Sequence, residues 1–129
     1  MNQTGQISFQ LLLNGLVTGL AVSPVHAQLL VRPDALRLTK EQIAKLELLR
    51  GDSAFDHYPA QAKRDAVDGV VVVDMLLNVE GRVLEAQVVA ESPSGFGLGL
   101  AALDTAKTLE FDNTFKRQVL LTWEFAFLP

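Results

Sequence analysis

Cysteine is absent from the 129-residue chain, which excludes disulfide bonds and metal sites built from thiolates. Histidine occurs only twice, and the carboxylates around it show none of the spacings typical of a metal site, so no metal or cofactor is predicted. Basic residues are not in excess either, since the formal net charge is −4 at pH 7. Nucleic-acid binding usually needs a basic surface, so no nucleic-acid partner is expected. The 49% hydrophobic content is enough for one small folded domain.

Formal charge is missing altogether from residues 1–27. Within them, Ile7 to Val22 is mostly apolar, and Val25 and Ala27 suit the positions before a signal-peptidase cut. We therefore predict a signal peptide over 1–27 and export of the chain to the periplasm. The start of the chain departs from this pattern, because it carries no Lys or Arg. An uncleaved inner-membrane anchor or a buried helix is the alternative, although the apolar stretch is shorter than the roughly 20 residues that cross a bilayer.

Two helices are predicted in the first half of the remaining chain. Thr39 and Gln42 match a capping box, and the apolar residues that follow predict a helix over about 40–50, with Gly51 as its stop. Proline is tolerated at the first helical position, so Tyr58-Pro59 predicts the start of a second, short helix that ends at Asp68-Gly69.

The second half carries the patterns of strands. A hairpin is predicted by two β-branched runs joined by a turn that ends in Gly81. Further on, apolar residues at helical spacing predict a helix, and a strictly alternating pattern predicts a last strand. In order, these are the strand Val70–Leu77, the strand Val83–Ala90, a helix from Leu98 to Leu109, and the strand Gln118–Phe127. The predicted fold class is α+β: a three-stranded antiparallel sheet with two helices on one face, plus an N-terminal helix near 40–50.

Residues that suggest catalysis have simpler interpretations. His57 lies beside Asp56 and near Ser53, but no Gly-x-Ser-x-Gly elbow is present, so we interpret it as an exposed loop histidine and predict no enzyme. The glycine-rich stretch 95–99 follows an antiparallel hairpin rather than a parallel crossover, which favours a plain connector over a phosphate loop. A further set of acidic residues is interpreted as solvent-facing carboxylates: Asp65, Asp68 and Asp74.

Several of these patterns together resemble the C-terminal domain of TonB. The resemblance covers residues 58–128, about 70 of the 129. It rests on the order and spacing of five motifs: Tyr58-Pro59 with Ala62, the strand Gly69–Val73, the turn Asn78-Val79-Glu80-Gly81-Arg82-Val83, the helix from Leu98 through Ala101-Ala102-Leu103 to Phe111, and the closing strand Val119–Phe127.

The chain departs from the family pattern at four positions. Gly99 stands where the family usually has Asp, and Leu109 where it usually has Trp. Asn113 and Glu124 each replace a frequent proline. These changes affect helix ends, turns and partner contacts more than the core pattern.

The resemblance implies a periplasmic peptide-binding module in TonB-dependent transport. Its partner would be a short segment of an outer-membrane receptor, added as a strand to the sheet edge, with an inner-membrane energising complex engaged through another subunit. If the sheet order is second, first, third, the last strand is an edge. The resemblance then implies that the receptor segment contacts the outer edge of this last strand, at Gln118, Leu120, Thr122 and Glu124.

Two other uses of this edge remain open. It can pair with itself in a homodimer, as in a structural or assembly protein of the cell envelope, or be covered by residues 28–57. A complete transducer would carry a long proline-rich spacer across the periplasm, but this chain has only five prolines. Residues 28–57 are also too short to bridge that distance. The predicted organisation is therefore a signal peptide over 1–27, an extension over 28–57 and a TonB C-terminal-like domain over 58–129.

Overall fold

The structure is a computed structural model that describes residues 28–129. The signal peptide predicted over 1–27 lies outside the described residues. Within residues 28–129, every helix is too short or too polar to cross a membrane.

Three helices and six strands follow one another along this part of the chain, together with one 3₁₀ turn. The elements are β1 (Leu36–Arg37), α1 (Lys40–Ala44), β2 (Leu48–Arg50), the 3₁₀ turn Ala54–His57, α2 (Ala60–Arg64), β3 (Gly69–Leu77), β4 (Val83–Ser92), α3 (Leu98–Ala106), β5 (Glu110–Phe111) and β6 (Val119–Phe127). β2 and β5 form a small separate ribbon.

The main sheet has the order β1-β6-β3-β4. Its three long strands are antiparallel, which confirms the predicted α+β fold and the predicted position of β3 between the other two. β6 pairs with β3 along its whole length, from Leu77 opposite Val119 to Gly69 opposite Phe127. The sequence did not predict β1, a two-residue strand that lies parallel to the start of β6.

The core lies between the sheet and its helices, as the alternation in β6 predicts. Side chains of alternate residues on β3 and β6 lie on the helical side of the sheet and are buried. They are Val71, Val73, Met75 and Leu77 on β3, and Val119, Leu121, Phe125 and Phe127 on β6. Trp123 continues the same row but is half-buried, with its ring edge-to-face against Phe111 at 5.0 Å between centroids. Burying a large apolar side chain contributes about 1.5–3 kcal/mol, so this layer is the main stabilising feature.

The helix predicted over 40–50 is wrong in its second half. Its capping box is present: the Gln42 amide donates to Thr39 Oγ1 at 3.2 Å, and the Thr39 amide donates to Gln42 Oε1 at 2.8 Å. The helix ends at Ala44, because residues 48–50 instead pair with β5. Gly51 is not a helix stop; a Cβ there would lie 2.5 Å from Leu109 Cδ2, so glycine allows close approach of two segments.

The second helix begins one residue later than predicted and ends earlier. Pro59 precedes its first residue, and α2 stops at Arg64 rather than at Asp68-Gly69. The Tyr58 hydroxyl donates to the carbonyl of Val67 and holds the segment after the helix against its start. Burial raises the pKa of Tyr58 above its ordinary value, and the nearby Asp68 carboxylate raises it further.

Residues 28–38 cross the face of the sheet opposite the helices, and we call this segment the N-terminal strap. Its anchor is Asp74, whose side chain is fully buried on that face. Arg37 donates to both Asp74 oxygens, at 2.5 and 2.9 Å, and the Leu30 amide donates to Oδ2 at 2.8 Å. The prediction that Asp74 faces solvent is therefore wrong, whereas Asp65 and Asp68 are exposed as predicted. The prediction failed because the positive charge that pairs with Asp74 belongs to Arg37, which lies 37 positions away in the sequence.

Candidate functional site at the sheet edge

The pleat of β6 decides which of its residues can reach a further strand. The Gln118 and Leu120 carbonyls accept from the strap on the side away from β3. Because the backbone groups of successive residues alternate in direction, the odd-numbered residues of β6 turn theirs toward β3. The even-numbered residues turn theirs to the opposite side. This row contains the four predicted contact residues, Gln118, Leu120, Thr122 and Glu124. It also contains Ala126, which the sequence analysis missed although the period-two pattern extends to it.

The first part of this row is occupied by the chain's own strap. The Leu36 amide donates to the Gln118 carbonyl at 3.0 Å, and the Leu38 amide donates to the Leu120 carbonyl at 2.8 Å. At two of the four predicted positions, Gln118 and Leu120, residues 28–57 therefore do cover the edge, as the alternative prediction stated. The peptide-binding role of the predicted residues stays a prediction.

Beyond Leu120 the strap leaves the sheet. Thr39 caps α1 and the chain turns away, so β1 pairs only as far as Leu120. Among residues 28–129, no strand lies beside Thr122, Glu124 or Ala126 on the outer side of β6. These three residues form a short free edge, which we call the open stretch.

The two faces beside the open stretch differ in character. On the side of the helices lie the half-buried Trp123 and the buried Phe125. On the opposite face, Thr122 is half-buried, whereas Glu124 and Ala126 are exposed. An added strand would therefore place one set of side chains near an aromatic surface and the other near a carboxylate.

The histidine and its neighbours do not form a nucleophilic site. His57 Nε2 lies 2.9 Å from Asp52 Oδ2, while the Ser53 hydroxyl bonds Asp56 at 3.2 Å. Serine and histidine are therefore in separate pairs, without the serine–histidine bond that activates a nucleophile. His57 is 28% exposed at its side chain, so the prediction of an exposed loop histidine is only partly right. Within residues 28–129, no group of three or more His, Asp or Glu is placed to hold a metal ion.

The glycine-rich stretch 95–99 is only partly the predicted connector: residues 95–97 lie between β4 and α3, whereas Leu98 and Gly99 belong to α3. Gly97 has φ +79° and occupies the cap position before α3. The preceding strand pairs antiparallel with β3, so the parallel strand–helix–strand crossover of a dinucleotide site is not formed here.

A small antiparallel sheet with helices on one face, a partly free edge at β6 and a second outer edge at β4 defines a class of α+β domain suited to strand pairing. The family described as the C-terminal domain of the Gram-negative bacterial TonB protein matches residues 56–127, and the chain belongs to this family. Its described fold is similar to the solution NMR structure of the Pseudomonas aeruginosa TonB C-terminal domain, with a TM-score of 0.51 and 20% sequence identity. That match covers 72% of this chain and 92% of the other. No curated protein matches the chain.

Proposed function

We propose that the chain is a periplasmic docking module that binds an extended partner segment by strand addition at the open stretch. By the family resemblance, this segment belongs to an outer-membrane receptor in TonB-dependent transport. The same proposal includes export by a leader over 1–27, coupling to an inner-membrane complex through another subunit, and a binding rather than enzymatic role. The observation that carries it is the free row at Thr122, Glu124 and Ala126.

The open stretch suits a short guest. Its three outward residues offer three N–H and three C=O groups to a partner of about the same length. Each new backbone hydrogen bond contributes about 0.5–1.5 kcal/mol net, while association itself costs several kcal/mol. The ladder alone therefore predicts weak, reversible binding, and the side chains beside it supply selectivity.

Self-pairing is the second candidate function. The same free row can accept the open stretch of another copy, which would give a homodimer and a structural role in the cell envelope. The two functions differ in what pairs with the backbone of the open stretch: a receptor segment in the first, and a second copy of this chain in the other.

The test is an NMR titration of the ¹⁵N-labelled 129-residue chain with peptides from the N-terminal box of TonB-dependent receptors. Strand addition should shift the amides of Thr122, Glu124 and Ala126 and leave β4 unaffected. Thr122→Pro removes one outward N–H without removing a bond to β3, so binding should fall about three- to tenfold. Thr122→Val keeps that N–H and is the matched control, which should bind within twofold of the natural chain.

Two results would count against peptide docking. Shifts that avoid β6 would place the peptide elsewhere on the molecule. A chain that does not respond to peptide but has dimer mass, and becomes monomeric on Thr122→Pro, would favour self-pairing.

A further inference from the structure

We propose that Glu124 selects the guest: the segment that adds to the open stretch carries a Lys or Arg beside this carboxylate. This inference rests on the proposed function and adds to it the charge of the partner. Three observations carry it, namely the limits of the open stretch, the unpaired state of Glu124 and the surface next to it.

The strap places Glu124 at the centre of the site. Leu38 closes the edge at Leu120, and β6 ends at Phe127, so the free row is limited to Thr122, Glu124 and Ala126. A guest strand confined to this row must pass beside Glu124 with its middle residues. Glu124 is also the only charged residue of the three.

The Glu124 carboxylate is not neutralised by the described part of the chain. It is exposed, and no Lys, Arg or His of residues 28–129 lies within salt-bridge distance of it. Its neighbour across the sheet is Val72, followed by Ala90, both uncharged. The strap holds two cations on this face of the sheet, and both are already paired: Arg37 with Asp74 and Arg32 with Glu85.

The surface beside Glu124 can accommodate a long basic side chain. Ala126 is small and exposed, and its partner Val70 on β3 is 38% exposed. The methylene groups of a Lys or Arg can lie along such an apolar surface while the charged end reaches the carboxylate. A guest Asp or Glu at the same position would meet like charge.

The expected size of this selection follows from cross-strand pairs in general. Opposite charges directly across an antiparallel pair are favourable and like charges unfavourable by modest amounts. A guest with central Lys should therefore bind about three to ten times more tightly than one with central Glu. The preference should fall in high salt, because the pair is exposed.

The experiment uses capped seven-residue peptides of alternating Thr and Val with a central Lys, Gln or Glu. Each is titrated into the full ¹⁵N-labelled chain and into the variants Glu124→Gln and Glu124→Lys, at low and at high salt. The natural chain should prefer Lys over Glu by about three- to tenfold. The preference should vanish in Glu124→Gln and reverse in Glu124→Lys, and unchanged amide dispersion would show that each variant folds.

The outcomes separate this inference from the proposed function. Equal affinities of Lys and Glu peptides, with shifts still confined to the open stretch, would overturn the role of Glu124 and leave strand addition intact. A preference that persists in Glu124→Lys would assign it to another group and also overturn the inference. If no peptide shifts the open stretch, both proposals fail.

Discussion

At the scale of single residues, Gly81 couples the hairpin turn to a distant segment. It has φ +91°, as expected for the turn glycine, and its carbonyl accepts from the Phe111 amide at 2.9 Å. A Cβ at this position would lie 1.8 Å from the Phe111 carbonyl oxygen. The turn and the end of β5 thus come closer than any side chain allows.

Gly81→Ala should lower the free energy of unfolding by more than about 3 kcal/mol, because it adds a backbone clash to an unfavourable φ. Gly95→Ala is the matched control: its φ is +87°, but the space around it is open. It should cost only about 1–2 kcal/mol, the strain of the positive φ itself. Urea unfolding of both variants measures the difference, and equal losses would show that the close approach to Phe111 contributes nothing.

At the scale of elements, helix ends are decided by backbone closure as much as by residue type. After α2, the Val67 amide donates to the Ala62 carbonyl at 2.8 Å and the Ala66 amide donates to the Lys63 carbonyl at 3.2 Å. This is a Schellman closure, in which the residue at Ala66 must be left-handed; its φ is +54°. This position usually carries glycine. Because alanine stands there instead, the residue type did not indicate that the helix ends before it.

Ala66→Gly should therefore stabilise the chain by about 0.5–1 kcal/mol, since it removes the strain of the left-handed alanine and loses only part of that gain to backbone entropy. Ala60→Gly, at the exposed first residue of α2, should have the opposite sign and cost up to about 1 kcal/mol. Thermal unfolding of the two variants checks the signs. Destabilisation by both would contradict the left-handed closure.

At the scale of the whole molecule, the N-terminal strap joins parts that are far apart in sequence. It buries Asp74, and its polar contacts with the rest of the chain include Arg32 with Glu85 and Arg117 with the Asp34 carbonyl. It also occupies the edge of β6 up to Leu120. The strap lies outside residues 56–127, the part that matches the family. The length of the open stretch therefore depends on a segment outside the part of the chain that the family model matches.

Arg37→Met should lower the free energy of unfolding by about 2–4 kcal/mol, slightly less than the loss of a fully buried pair, because Arg37 is 36% exposed. It should also speed hydrogen exchange at the Leu36 and Leu38 amides. Arg32→Met breaks a pair whose side chains are both 41% exposed and should cost no more than about 1 kcal/mol. Equal, small losses in the two variants would show that the ion pair does not hold the strap.

The sequence by itself determined the central elements of the fold. The β-branched run of β3, the glycine of the turn and the strict alternation of β6 each reflect local physics, namely pleat, backbone freedom and burial of one face. These signals predicted the antiparallel sheet, and the alternation also placed Gln118, Leu120, Thr122 and Glu124 on one side of β6.

Only the tertiary structure decided which of those residues stay free. The β2–β5 pairing, the partner of Asp74 and the position of β1 all depend on contacts between segments that are distant in sequence, and no local pattern encodes them. A backbone amide of any residue type can fill a sheet edge, so the residues of β6 cannot show that Leu36 and Leu38 occupy it. The open stretch from Thr122 to Ala126 is what the strap leaves uncovered.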